Sequence, residues 1–305
     1  MRRIYEALQR ADLERKGVLA ATGEQFADQA DAPDSDEPQP VRAEAVLDNI
    51  AQYRWKPSLA SLPTLAERGV GVEQFRSLRS RVYQARYEGP MKTILVSSGM
   101  PSEGKSFVTA NLAMSLARNS VNNILLIDAD LRHPTLHNLL GAPNVPGLSE
   151  YLAGTAELNS VMQRDLTPEI PINAGQRTIS NLTFIPSGRC DDNASELVAN
   201  HRIEQLIATL SPCFDWILID SPPVLAVTDA LELAHAADAV LLVARGARTP
   251  YAVAQRTQTA FSNSRILGFV LNDVKNAPRR GSYYYYYGGK EDGPDKRQKD
   301  HGKQG

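Results

Sequence analysis

The sequence predicts an α/β fold built on a mainly parallel, doubly wound sheet. Three observations carry that prediction. Short, continuous apolar runs of strand length recur along the chain, Ile124-Leu125-Leu126-Ile127 being typical. Stretches with the apolar spacing of helices separate these runs, and a glycine-bearing loop joins the first run to the helix after it. Strands that are apolar on both faces need helices on both faces, which is the arrangement of a buried parallel sheet.

In chain order, residues 2–16 space Ile4, Leu8 and Ala11 at helical intervals among charged residues. Such a helix is either solvated or docks on a partner or an anionic surface. Residues 31–40 hold four acids and three prolines and read as a disordered linker. A short helix is expected over 43–53 and a loop over 57–63. Residues 72–88 place Phe75, Leu78 and Val82 on one apolar stripe of a helix. On the same helix Glu73, Arg76 and Arg79 step by three and occupy an arc of about 120°. Strands follow at 93–97, 123–129, 182–186, 216–220, 239–244 and 266–272. The helices between them run from Gly104 to about residue 119, over 194–210 and over 250–263. After Lys275 the chain is polar and glycine-rich and reads as a mobile tail. The expected organisation is an N-terminal helix and linker region at 1–68, a catalytic domain at 69–276 and a tail at 277–305.

Composition removes several functions. Of 305 residues, 42% are hydrophobic and 22% charged, which suffices for an ordinary core. A net charge of -2 argues against a nucleic-acid binder that works by bulk electrostatics. No apolar run reaches the length needed to span a bilayer. No apolar segment follows Met1-Arg2-Arg3, so no secretory signal is legible and a cytoplasmic location is expected. Cys190 and Cys213 are too few for a disulfide framework and lack metal spacing. One oddity survives: Tyr283, Tyr284, Tyr285, Tyr286 and Tyr287 are consecutive. Neighbouring side chains point to different faces, so no packed element uses five adjacent phenols.

The strongest motif is Gly99-Met100-Pro101-Ser102-Glu103-Gly104-Lys105-Ser106, which fits G-x-x-x-x-G-K-[ST]. It follows a predicted strand and opens a predicted helix, the context that makes it a phosphate loop. Backbone N–H groups and the helix N-terminus would cup the α- and β-phosphates of a nucleotide. Gly104 permits close approach, Lys105 reaches the β- and γ-oxygens, and the Ser106 hydroxyl ligates Mg²⁺. Two further strands end in acids. Residues 216–220 finish on Asp220, the pattern of the second Mg²⁺-side group. Residues 124–134 carry Asp128 and Asp130 at a strand's C-terminal end, where α/β sheets place ligands. Acids beside a bound triphosphate need counter-charge, expected from Mg²⁺ and Arg132. His133 and His137 are four apart, but Pro134 intervenes and no third metal ligand is evident. Ser221 lacks a nucleophile-elbow frame.

In combination these residues resemble the bacterial tyrosine kinase family, cytoplasmic P-loop kinases of capsule and exopolysaccharide systems. The resemblance spans about residues 70–290. It rests on the loop from Gly99 to Ser106, the acidic motif from Ile124 to Pro134, the strand ending in Asp220 and the C-terminal tyrosine cluster. A fifth match is the family's E-x-x-R-x-x-R oligomerisation motif, present as Glu73, Arg76 and Arg79. The opening 17 residues are similar to family members that lack a fused membrane part and accompany exosortase-type loci. Position 100, where partitioning-type ATPases carry a signature lysine, is Met100, which favours the kinase branch. Ser102 replaces a frequent glycine; serine keeps its N–H, so little harm is expected.

The resemblance implies an ATP- and Mg²⁺-dependent protein-tyrosine kinase that phosphorylates its own tail at Tyr283–Tyr287, in trans within a ring. Gly99, Pro101, Ser102, Glu103, Gly104, Lys105, Ser106, Phe107 and Asn272 would hold the nucleotide, and Ser106, Asp128 and Asp220 the metal. Lys105, Asp128, Asp130 and Asp220 would carry the chemistry, with Asp128 as base or orienting group and Asp130 supporting it. Implied partners are further copies of the chain, an integral membrane chain-length regulator that activates it at the inner membrane, and a tyrosine phosphatase; no nucleic acid is implied. The competing readings are a partitioning-type ATPase switch and a scaffold without kinase activity.

Overall fold

The computed structural model describes residues 50–58, 60–166, 181–189 and 193–274. The helix expected at 2–16, the linker at 31–40 and the tyrosines at 283–287 lie outside these residues. The described chain forms an eight-stranded sheet in the order β1-β4-β5-β3-β6-β2-β7-β8. The strands are β1 (Ala51–Tyr53), β2 (Thr93–Ser98), β3 (Ile124–Asp128), β4 (Gln163–Asp165), β5 (Leu182–Ile185), β6 (Trp216–Asp220), β7 (Ala239–Arg245) and β8 (Ile266–Asn272). Every pairing is parallel except β4 with β5.

Alternation along the central strands supplies two cores. Ile94, Val96, Ile124, Leu126, Trp216 and Leu218 face one side, and Leu95, Leu125, Ile127, Ile217 and Ile219 face the other. Helices cover both sides, as continuous apolar strands require. On the first side, α1 (Val70–Glu88) buries Val72, Phe75 and Val82. Between α1 and the sheet lies α2 (Lys105–Ala117), buried at all but its first and third positions because it is covered on two sides. Phe75 and Phe107 meet edge to face across the two helices, centroids 5.9 Å apart.

The structure corrects two expected helices. Where a helix was expected over 43–53, Ala51–Tyr53 is a strand paired in parallel with Gln163–Asp165. The cause is non-local: the Trp55 indole donates to Gln163 Oε1 at 3.2 Å, and Leu166 N donates to the Tyr53 carbonyl at 2.8 Å. The helix expected over 194–210 is two, α6 (Ala194–Ala199) and α7 (Arg202–Leu210). They break at His201, whose φ of 58° is left-handed, and the Asn200 side chain accepts from Arg202 N at 3.1 Å. Short helices α3 (Leu136–Leu140), α4 (Leu148–Leu152) and α5 (Leu158–Val161) follow β3, α8 (Asp229–His235) precedes β7, and α9 (Tyr251–Ala260) precedes β8.

The boundary expected at residue 68 falls inside packed structure. Leu62 is fully buried, and the Thr64 hydroxyl donates to Asn111 Oδ1 of α2 at 2.8 Å. Arg118 donates to the carbonyls of Thr64 and Ala66. Residues 61–66 therefore strap the phosphate-loop helix. No helix among the described residues is long and apolar enough to cross a membrane.

Candidate nucleotide and phosphoryl-transfer site

The motif residues form the turn between β2 and α2, and its two glycines answer to steric demands. Gly104 has a φ of 92°, and a Cβ there would stand 1.9 Å from Asn272 Nδ2. A Cβ on Gly99 would come within 2.3 Å of the Thr257 hydroxyl. Glu103 does not face the cavity: it is buried, its carboxylate accepting from Met100 N at 2.8 Å and from the Thr249 hydroxyl. Asn272 donates from Nδ2 to the Glu103 carbonyl at 3.0 Å, so it braces the loop from beneath. Ser102 adopts a φ of 63°. That left-handed conformation is one that glycine adopts at less cost than serine.

The three acids converge but do not share one environment. Asp128 and Asp220 are register partners on adjacent strands β3 and β6, both fully buried. Asp128 accepts from the backbone N–H groups of Asp130 (3.3 Å), Thr135 (3.2 Å) and Leu136 (3.0 Å). Asp220 Oδ1 accepts from the Thr109 hydroxyl at 3.3 Å, while Oδ2 is buried without a hydrogen-bond partner. Asp130 pairs with the Lys105 ammonium at 2.9 Å and accepts from His133 N at 3.0 Å.

Burial, then repulsion from Asp220, pushes the Asp128 carboxyl well above the usual carboxylate range, opposed by the N–H of Leu136. Burial likewise raises Asp220, to about 6, although Lys105 and the Ser106 hydroxyl favour its charged form. For Lys105 burial acts downward, but the charges of Asp220, Asp130 and Asp128 outweigh it and hold the ammonium above its ordinary value. Two like charges at one site resist ionising together, so Asp128 and Asp220 favour retaining a proton until a cation joins them.

Lys105, Ser106 and Asp130 border a cavity of about 520 Å³. Pro101, Ser102, Gly104, Lys105, Ser106, Phe107 and Asp130 line it, together with Arg132, His133, Thr135 and Leu139 from the β3 side. Pro222, Pro223, Ala226 and Val227, which follow β6, close it with apolar surface. Gly99, Glu103, Asp128, Asp220 and Asn272 are not on its lining and stand behind it. Arg132 was expected to neutralise the paired acids; instead its ion pair, at 3.0 Å, is with Asp229. Lys105 is the counter-charge of Asp130. On α1, Glu73 and Arg76 pair with each other at 2.8 Å on the exposed face, whereas Arg79 turns inward to the Ser115 carbonyl.

Sequence reasoning did not find Thr109, Ser195, Asp229 or Thr249. Of these only Asp229, following Thr228 at the head of a helical pattern, carried a signal, and it was that of helix capping.

The donor set fits a magnesium nucleotide. The loop offers N–H groups beside Lys105, Ser106 opens α2 next to the Asp220 carboxyl, and one oxygen of that carboxyl is buried without a partner. No cluster of three or more metal-ligating side chains exists among the described residues. Mg²⁺ relies on one or two protein groups and on substrate phosphates, and Ser106 and Asp220 are of the type that would supply those groups.

Comparison with known proteins agrees with this geometry. The ParA family profile, described as NUBPL iron-transfer P-loop NTPase, matches residues 90–293. Among curated proteins, the tyrosine-protein kinase etk of Escherichia coli is 35% identical over 251 residues, 80% of this chain and 32% of that protein. The tyrosine-protein kinase wzc of Salmonella typhimurium is 35% identical over 207 residues, 67% of this chain and 27% of that protein. The chain thus spans about a third or less of the length of these relatives. Among solved structures, the kinase domain of Escherichia coli tyrosine kinase ETK superposes with a TM-score of 0.58 at 34% identity. That match covers 68% of this chain and 77% of that one. The BceF tyrosine kinase domain gives 0.60 at 31% identity, covering 76% of this chain and 86% of that one. The chain contains a ParA-type P-loop NTPase domain and belongs to the bacterial tyrosine kinase family.

Proposed function

We propose that the protein transfers the γ-phosphoryl group of ATP to tyrosine, and that its first acceptors are Tyr283–Tyr287 of its own tail. One observation carries this reading. The cavity lined by Lys105, Ser106 and Asp130 is also lined by the apolar side chains of Pro222, Pro223, Ala226, Val227 and Leu139. Water as acceptor needs no such lining; a phenyl ring does.

Lys105, drawn from Asp130 by the incoming β- and γ-phosphates, leaves that carboxylate able to accept from a phenol. With a pKa near 10 the phenol is a poor nucleophile at neutral pH, so orientation by a carboxylate matters. The phenol oxygen bonds to the γ-phosphorus, the bond to the β,γ-bridging oxygen breaks with its electron pair leaving on ADP, and the phenol proton passes to Asp130. The position of Asp130 on the cavity wall supports giving it the orienting role first expected of Asp128. Asp128 then acts behind Asp220 on the metal side. Bound Mg²⁺, held by Ser106 and Asp220, supplies charge neutralisation of the phosphates.

Tyr283 lies nine residues beyond Val274, a reach of roughly 30 Å at full extension, enough to enter the site of an adjacent copy. We assign Glu73, Arg76 and Arg79 to the ring contact that brings copies together, although Arg79 would have to leave Ser115. Each phosphotyrosine adds about -1.5 to -2 charges, so dense tail phosphorylation loosens the ring. In this reading the chain works at the inner membrane, activated there by an integral chain-length regulator, reset by a phosphatase, and controls exopolysaccharide polymerisation and export.

The test is incubation of the protein with labelled ATP and Mg²⁺, its membrane activator included, followed by phosphotyrosine detection. Wild-type protein is expected to label on its tail, and Lys105→Met to lose at least about a hundredfold of that signal, as expected when phosphate charge stabilisation is removed. ATP hydrolysis without phosphotyrosine would overturn the kinase reading in favour of an ATPase switch.

A further inference from the structure

One guanidinium, that of Arg132, four residues past the end of β3, lines the cavity together with the phosphate loop. It is held with unusual completeness. Its Nε donates to Asp229 Oδ2 at 3.0 Å and its Nη2 to the Ser195 hydroxyl, which in turn donates to Asp229 Oδ1 at 2.8 Å. Both oxygens of the Asp229 carboxylate are thereby engaged in a closed ring of three side chains. Asp229 is only 4% exposed, at the head of α8, and Ser195 sits in the first turn of α6. Three segments distant in sequence converge on one side chain that lines the cavity.

An exposed arginine pair is worth about 0–1 kcal/mol and is readily lost to side-chain freedom. Here a buried carboxylate and a hydroxyl fix the planar fork, so the cation is oriented before any ligand arrives. We propose that Asp229 and Ser195 are positioning residues that hold Arg132 in the cavity that Lys105 also lines, so that the phosphoryl group in transfer meets two cations, one from the loop and one from the segment after β3. This rests on the phosphoryl-transfer reading above. Charge in that transition state spreads over three equatorial oxygens, and Lys105 can serve them only from the loop side. Arg132 serves them from the segment after β3. Asp229 touches no reacting atom; its effect is on where the guanidinium stands, and a misplacement of about 1 Å costs on the order of a hundredfold.

The test is a double-mutant cycle on the full chain, reading kcat and KM for ATP in phosphotyrosine formation beside binding of a fluorescent ATP analogue. Arg132→Ala and Arg132→Lys are expected to lower kcat by about a hundredfold while KM stays within about twofold. Asp229→Asn is expected to reproduce about tenfold of that loss, yet to add less than about twofold when Arg132 is already Ala. Ser195→Ala is expected to cost a few-fold, on the order of one neutral hydrogen bond, and Ser195→Thr to restore it. Losses from Asp229→Asn and Arg132→Ala that multiply, or an unchanged kcat in Asp229→Asn, would overturn the proposal by showing that Asp229 serves only the start of α8. Should the wild type make no phosphotyrosine, the kinase reading fails on its own. The same cycle is then read on ATP hydrolysis, where non-additivity upholds the clamp and additivity ends it.

Discussion

The two walls of the cavity are assembled differently. On the β2–α2 wall the working groups, Lys105, Ser106 and the loop's backbone N–H groups, all come from one turn, which Glu103, Thr249 and Asn272 brace. On the β3 wall they are side-chain charges, Asp130 and Arg132, each held by a residue from a distant segment. A wall made by one turn dictates sequence locally, because a turn that bares its N–H groups needs glycine where φ is positive or space is short. Side-chain charges held from distant segments impose no such local pattern. The difference explains which half of the site could be read before folding and which half could not, and it can be tested.

The largest expected contrast separates two neighbours on the β3 wall. Asp130→Asn removes the group that faces the cavity, and the rate of phosphotyrosine formation should fall by at least about a hundredfold, as for loss of a positioned proton acceptor. Its loss of stability should be set by the buried Lys105 pair alone, because the amide oxygen of Asn can still accept from His133 N. Asp128→Asn should instead spare most of the rate and lose stability at its own backbone donors. Three backbone donors point at its carboxylate, and an amide nitrogen cannot accept from them, which costs about 1–3 kcal/mol of stability. Rates from rapid-quench assays, read beside free energies from urea denaturation, would break the comparison if Asp128→Asn lost more of the rate than Asp130→Asn.

A smaller effect tests the buried layer behind both walls. Asp220 titrates near 6 in the folded protein against an ordinary value of 3.8. The folded state therefore holds a proton that the unfolded chain releases between those values. Where the folded state binds more protons, stability rises as pH falls. Nucleotide-free protein should gain thermal stability from this group as pH drops from 7 through 6, levelling off near 4. Asp128, raised in the same direction, adds to the trend. A gain of 1 kcal/mol corresponds to roughly 2–4 °C in a domain of this size. Scanning calorimetry at pH 7 and pH 5 should show the rise in wild type and a reduced rise in Asp220→Asn, a variant already more stable at pH 7. A wild-type Tm that falls over this interval, with Asp220→Asn unaffected, would contradict the assignment.

The same contrast governs what was legible in the sequence. Five strands, β2, β3, β5, β6 and β7, were read from apolar runs because burial on both faces selects apolar residues, and the edge strand β8 was read from an apolar run although it is only partly buried. The strands β1 and β4 were missed: Gln163-Arg164-Asp165 has no apolar run, and its strand state is fixed by Trp55 and Tyr53 more than a hundred residues away. Gly104, Lys105 and Ser106 were legible because one turn contains the whole device. Arg132 was given the wrong partner because an ion pair with Asp229, 97 residues on, leaves no local trace.

The smallest expected effect falls on the β2–α2 wall itself, at the one residue whose type runs against its conformation. Ser102 sits at a φ of 63° between Pro101 and Glu103. A left-handed conformation costs a residue with a Cβ about 1–2 kcal/mol, whereas glycine in its place gives the unfolded chain about 0.4–1 kcal/mol more conformational entropy to lose. The first quantity exceeds the second, so Ser102→Gly should stabilise the protein by up to about 1 kcal/mol. The denaturation midpoint should rise with an unchanged slope, since no surface is exposed differently. Because the loop's N–H groups keep their directions, nucleotide affinity should stay within about twofold. A loss of stability on Ser102→Gly would mean that the serine side chain contributes a contact outweighing its strain.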